Sequence, residues 1–180
     1  MQNSSERTTW LISDTHFSHP GICKFLREDN TKLRPWDNVK EMDEALIANW
    51  NSKVKPHDKL YHIGDIALND HGLELLHRLN GVKILIKGNH DRSKLRKYLG
   101  IFKDVRGSHD IDKYLLTHIP IHPLSKGRWR GNIHGHLHAN RVTFENGNID
   151  PWYLSVCVEH TNYTPISWED TLTKFQAQQP

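Results

Sequence analysis

The sequence predicts an α/β fold in a single domain. Short apolar runs alternate with segments whose apolar residues recur at helical spacing. Run after run ends in an Asp, Asn or His. At 180 residues, with 36% hydrophobic and 25% charged content, the chain matches an ordinary globular domain with one real core.

Composition also excludes classes. Nothing approaches a transmembrane span, so no membrane partner is expected. The stretch from Met1 to Thr9 is polar and lacks the apolar core of a signal peptide. Cys23 and Cys157 lie far apart and imply no disulfide framework, so a reducing cytoplasm is the expected location. The formal charge of +3 permits a phosphate-bearing partner without demonstrating one. Fourteen histidines are the unusual feature.

Residues 1–8 read as a flexible lead-in to a domain spanning 1–180. Trp10 to Ser13 reads as the first strand. Pro20 to Asp29 reads as a helix, with Ile22, Phe25 and Leu26 on one face. A basic loop from Asn30 to Trp36 leads to a helix over Asn38 to Asn51. Its stripe is Val39, Met42, Leu46 and Trp50, and Asp37 or Asn38 can cap it. Lys59 to Asp65 is the second strand. Leu73 to Leu79 is a short helix stopped at Asn80-Gly81. Val82 to Ile86 is a strand and Ser93 to Leu99 a short basic helix. Lys113 to His118, Val142 to Phe144 and Leu154 to Val158 read as strands, with the histidine-rich run Asn132 to His138 between. Ser167 to Phe175 closes the chain as a helix.

The strand ends carry the chemistry. Asp14 and His16 stand two apart at the end of the first run, so on a strand they point to one side. Asp65, then Asn89 and His90, then His118, then His136 and His138 follow later runs in the same way. Ligands at the ends of several strands of an open sheet share one crevice. Oxygen and nitrogen donors converging there suit a divalent transition metal. Gly64, Gly88 and Gly135 precede ligands, where a sharp turn or close backbone approach excludes a Cβ. Any one of these residues alone fits a turn or a structural histidine. All of them in order do not.

With these residues the chain resembles the calcineurin-like metallophosphoesterases. The five blocks are Asp14-x-His16, Gly64-Asp65, Gly88-Asn89-His90-Asp91, His118 and Gly135-His136-x-His138, in the family's order over roughly residues 9–160. The narrower likeness is to small, cap-less phosphoesterases of bacteria and their phages, which share the Asp-x-His-Phe-x-His opening of Asp14 to His19. The resemblance implies a four-layer α/β/β/α sandwich of two mixed sheets flanked by helices. It implies two divalent metal ions, one on Asp14, His16, Asp65 and His138, the other on Asp65, Asn89, His118 and His136. Asp65 bridges them, about 3.5–4 Å apart in such pairs, and a bridging water is the nucleophile. His90 is the implied catalytic histidine, and Asp91 the group that orients it. Mixed nitrogen and oxygen ligation without thiolate points to manganese, with iron or zinc as alternatives.

The expected activity is therefore hydrolysis of phosphodiesters or phosphomonoesters, on a substrate that includes nucleotides. A nuclease acting on DNA or RNA with the same metals is the alternative, and a catalytically silent scaffold a third reading. The scaffold reading calls for loss of His90 or a ligand, and none is lost. Substrate contacts are expected from His19, from Arg34 in the basic loop, from Arg92, and from Arg128 and Trp129. The last two lie in the loop from His122 to Arg130, whose cations and aromatic suit a phosphate and a stacked base. His62 is expected in the interior, His134 behind the ligands at most, and His57, His71, His77, His109 and His160 on the surface or in loops. Cys23 reads as core. The sequence leaves the oligomeric state open.

Overall fold

Residue alternation along very short strands sorts the apolar side chains into two cores and so sets the layers. The computed structural model describes residues 7–178; most of the expected N-terminal lead-in, residues 1–6, lies outside the described residues. The strands are β1 (Thr9–Ile12), β2 (Lys59–His62), β3 (Val82–Ile86), β4 (Asp104–Arg106), β5 (Ser108–Ile111), β6 (Tyr114–Thr117), β7 (Gly131–His134), β8 (Tyr153–Ser155) and β9 (Ile166–Ser167). The helices are α1 (Val39–Lys53), α2 (Asp70–Leu75), α3 (Leu95–Leu99) and α4 (Trp168–Gln178). One sheet runs β4-β3-β2-β1-β9 and the other β5-β6-β7-β8. Each is parallel except for one antiparallel edge strand, β9 in the first and β5 in the second. The fold is the predicted α/β sandwich, two mixed sheets flanked by helices.

In the first sheet Ile12, Leu60 and Leu85 face the helices, where Met42, Leu46, Trp50, Leu73 and Leu76 cover them. Their strand neighbours Leu11, Tyr61, Ile84 and Ile86 face Leu116, Ile133 and Leu154 of the second sheet. Phe175 of α4 joins this inter-sheet core. Asn38 caps α1, its side chain accepting the Glu41 N–H at 2.9 Å. Trp50, fully buried at the far end of the stripe, donates its indole N–H to the Asn80 carbonyl at 3.0 Å. Trp50→Ala is expected to cost about 3–5 kcal/mol, as large aromatic truncations in cores do. Denaturant midpoints measure this, and a loss below about 1 kcal/mol would contradict a packed stripe.

Several expected boundaries move. The helix over Pro20 to Asp29 is only a 3₁₀ turn, Pro20–Lys24. Phe25 is extended, and the chain doubles back so that Leu26 bridges Lys32 and the Leu33 N–H reaches the Phe25 carbonyl at 2.8 Å. That reversal buries Leu33 and leaves Phe25 and Leu26 exposed, which a continuous helical face would not do. The expected strand over Val142 to Phe144 reduces to one bridge, Thr143 with Ile149. Val158 lies in a 3₁₀ turn, Val158–His160, rather than in a strand. Strands β4, β5 and β9 carry no strong apolar run, because each is short and lies at or near a sheet edge.

Candidate metal centre

Parallel strands present their C-terminal ends together, so the turns after β1, β2 and β3 meet those after β6 and β7. A backbone bridge closes the two sheets on each other there: Ser13 N–H donates to Val156 O at 3.0 Å and Val158 N–H to Ser13 O at 3.1 Å. The ligand-bearing turns are sharp. Asp14, His16, Asp65, His136 and His138 all have positive φ, from 50° to 71°. Asp and His tolerate this region better than most residues, yet each such position costs about 1–3 kcal/mol and persists only where its surroundings over-determine it. The surroundings do so with backbone bonds: Asp14 N–H to Gly64 O at 3.0 Å, His16 N–H to Asp65 O at 3.1 Å.

The expected glycines are sterically required. A Cβ on Gly88 would lie 2.2 Å from Asp65 Oδ1, and one on Gly135 2.4 Å from Asp14 Oδ2. Gly64 combines positive φ with a close approach, its Cβ falling 2.5 Å from the His118 ring.

All seven expected ligand positions converge. Asp14, His16 and His138 form one group able to hold a cation, and Asp65, His118 and His136 a second, with the donor atoms of each group within 4.8 Å of one another. Asp65 Oδ2 stands between the groups, 3.8 Å from His16 Nε2 and 3.2 Å from His118 Nε2. Asn89 Oδ1 lies 2.9 Å from His118 Nε2. Asp14 Oδ1 and His16 Nε2 are buried with no hydrogen-bond partner. A buried carboxylate oxygen and imidazole nitrogen left bare and facing one another are the expected state of atoms that a cation would satisfy.

Electrostatics prepare the same arrangement. Burial, then the nearby Arg34 charge, holds the His16 pKa well below its ordinary value, so its ring stays neutral. Burial lowers His118 too, but the Asp65 hydrogen bond and the Asp14 and Asp65 charges outweigh it and raise the pKa to about 9. Burial would raise Asp65; the His118 bond and charge bring it below the carboxylate range. Without a cation, a proton on His118 therefore balances the carboxylates.

Other expected site residues divide. His90 is half-buried at the edge of the group, its ring 5.6 Å from that of His16 and its N–H bonded to Asp65 Oδ1 at 2.7 Å. His19 does two things: its Nδ1 accepts the Ile22 N–H at 3.2 Å, and its ring lies 5.5 Å from His16. Arg92 is exposed beside the centre, with Nε donating to the Asn89 carbonyl at 3.2 Å. Asp91 does not stand behind His90 as expected. Its buried carboxylate accepts the N–H groups of Asp65, Ile66 and Gly88 at 2.9, 3.0 and 2.8 Å, which fastens the two ligand turns together.

Arg34 is also corrected. It is 0% exposed and touches no open site. It donates to the carbonyls of Asp14 and Thr15 and pairs with Glu159, clamping the first ligand turn from behind. Arg128 and Trp129 are misplaced for a different reason. A parallel crossover leaves at one end of the sheet and re-enters at the other. The Arg130 N–H bonds Lys113 O at 2.7 Å, and Trp129 donates to Asp110 Oδ2 at 2.6 Å, both at the start of β6. His118 lies beyond its other end, more than about 10 Å along the strand.

Glu159 was not anticipated. Its Oε1 accepts from His138 Nδ1 at 3.2 Å and from Arg34 Nε at 3.0 Å, fixing the His138 ring with Nε2 toward Asp14. It follows the last apolar run as the ligands follow theirs, but without the glycine that marks three of those turns. His62 is interior as expected, within 3.0 Å of Thr15 Oγ1, and burial lowers its pKa to about 3. His134 is buried with Nδ1 2.8 Å from Gly135 O. His109 is not a free surface residue: it stacks on Tyr61 and lies 3.0 Å from that hydroxyl.

Known proteins bear on this geometry. No protein-family model matches the chain. It is 38% identical over 175 residues to the uncharacterized protein MJ1445 of Methanocaldococcus jannaschii, covering 91% of this chain and 88% of that one. The chain belongs to that protein's family. Among solved structures, the protein of unknown function AQ665 from Aquifex aeolicus superposes with a TM-score of 0.68 at 26% identity, over 93% of this chain and 99% of that one. The fold is therefore shared with a solved protein over nearly all of this chain. A looser neighbour, described as a novel archaeal phosphodiesterase, gives a TM-score of 0.46 at 20% identity over 82% of each chain. Among the described residues no helix is long and apolar enough to cross a membrane.

Proposed function

We propose that the protein is a dinuclear metal-dependent phosphoesterase of the calcineurin-like type, acting on phosphodiesters or phosphomonoesters. One observation carries the reading: two adjoining groups of potential ligands, with Asp65 Oδ2 of the second 3.8 Å from His16 Nε2 of the first, and Asp14 Oδ1 and His16 Nε2 buried without a hydrogen-bond partner. Asp14, His16, Asp65 and His138 would hold one cation and Asp65, Asn89, His118 and His136 the other. Two such ions, manganese by donor type with iron or zinc as alternatives, supply charge to a phosphoryl group and acidify water. The protein's own groups then do the rest. Asp65 fixes the separation of the two groups, and Asp91 fixes Asp65. His90, a non-ligand imidazole at the edge of the centre, gives a proton to the departing alkoxide or a hydrogen bond to a phosphoryl oxygen.

The test is a manganese-supplemented screen of aryl phosphates, nucleotides, cyclic nucleotides and single-stranded nucleic acid. Turnover that a chelator abolishes and manganese restores is expected; equal turnover by the metal-stripped protein would contradict the proposal. The nuclease alternative draws support from exposed Lys87 and Arg92 flanking Asn89. Cleavage of nucleic acid falling steeply with salt would select it.

A pH dependence follows from His118. Its folded pKa is about 9, so at neutral pH a cation must displace a proton from it. Affinity is expected to rise up to about tenfold per pH unit below about 9, and to fall on acidification. Titration calorimetry in buffers of different ionisation enthalpy should show proton release at pH 7.5. Equal affinity at pH 5 and 7.5 would sink this account.

A further inference from the structure

A groove of about 330 Å³ adjoins the metal centre and shares its His138 wall. Phe25, Leu26, Leu33 and Leu137 line it, with Arg27, Glu28 and Asn140 as polar neighbours. Two of its apolar side chains are open to solvent, Phe25 at 49% and Leu26 at 57%. They are open because the chain abandons its helix at Phe25 and turns back through Leu26 to Lys32. Apolar side chains left open to solvent along a groove beside the candidate metal centre give it the surface that ligand-binding grooves have. The size suits a ring with its sugar, and the mixture of apolar wall and a few polar groups is that of small-molecule sites.

We propose that this groove holds the nucleobase of a nucleotide ester whose phosphate sits at the metal centre. The proposal rests on the phosphoesterase reading above and adds the substrate class. Phe25 offers an exposed aromatic face and Arg27 a guanidinium, both of which stack on bases. Asn140 offers an amide for the polar edge of a heterocycle. The base-stacking role expected of Trp129 thereby passes to Phe25, which adjoins the centre where Trp129 does not.

The test compares three non-hydrolysable ligands on the manganese-loaded protein by calorimetry. These are methylphosphonate, phenylphosphonate, and the AMP isostere in which CH₂ replaces the ester oxygen. The isostere is expected to bind at least about tenfold tighter than methylphosphonate, the scale of one base–aromatic stack. Phe25→Ala and, separately, Leu26→Ser should each narrow that ratio to within about twofold, while Leu124→Ala, on an exposed side chain outside the groove lining, keeps it. Two variants are used so that a folding defect in one does not decide the result. Equal affinity for all three ligands, or a ratio that survives both groove variants, overturns the groove and leaves the phosphoesterase reading standing. Phenylphosphonate equal to the AMP isostere overturns the nucleobase assignment. Binding of no phosphonate overturns the phosphoesterase reading and the groove with it.

Discussion

Asp65→Asn is expected to leave a folded protein that binds at most one cation and turns over substrate about a thousandfold more slowly or worse. The scale is that of removing preorganised charge from a site, and here one change affects both cations. The geometry explains why so small a substitution acts so strongly. Asp65 Oδ1 is occupied by the His90 N–H at 2.7 Å, and Oδ2 faces His118 and His16. In the amide, the oxygen would keep the His90 bond, so the NH₂ group would point at both ligand groups. An NH₂ donates hydrogen bonds and ligates nothing. The fold should tolerate the change, because the amide removes a buried charge and keeps the shape. Metal content by elemental analysis, with circular dichroism as the folding control, tests this. An Asp65→Asn protein holding two cations and a tenth of normal activity would falsify the bridging role.

His90→Ala should behave differently. It is expected to lower kcat by about 10²–10⁴ with both cations still bound, because general acid catalysis contributes on that scale and neither ligand group includes His90. The leaving group provides the sharper reading. An aryl alkoxide of low pKa departs without a proton, whereas a sugar or alkyl alkoxide needs one. The loss should therefore be small for nitrophenyl esters and large for alkyl or nucleoside esters. Equal losses for both would assign His90 to the phosphoryl oxygen instead of the leaving group. An unchanged kcat would remove it from catalysis altogether.

Much of this centre is legible in one dimension because its parts are local. Each proposed ligand lies within four residues of the end of a strand, so the apolar run before it marks its place. The glycines at positions 64, 88 and 135 are legible for the same reason: a missing Cβ answers a contact 2–3 Å away. The α1 stripe is legible because Val39, Met42, Leu46 and Trp50 repeat at the helical period, and three of them are fully or nearly fully buried.

What the chain's order could not disclose is long-range pairing. Arg34 looks like a rim cation in the sequence. In the fold its side chain is buried because Glu159, 125 residues on, supplies the opposite charge and the Asp14 and Thr15 carbonyls the remaining acceptors. Asp91 sits beside His90 in sequence, yet three backbone N–H groups, two from the turn after β2 and one from its own turn, take its oxygens. Trp129 lies between two ligands along the chain and at the opposite end of the sheet in space, because parallel strands force the crossover to return there. Which residues stand in the turns of the proposed centre was thus legible in local sequence, through the apolar runs that precede them and through turn sterics. Which charges are internal and which face substrate was settled only by tertiary structure, because burial of a charge depends on partners that distance along the chain does not reveal.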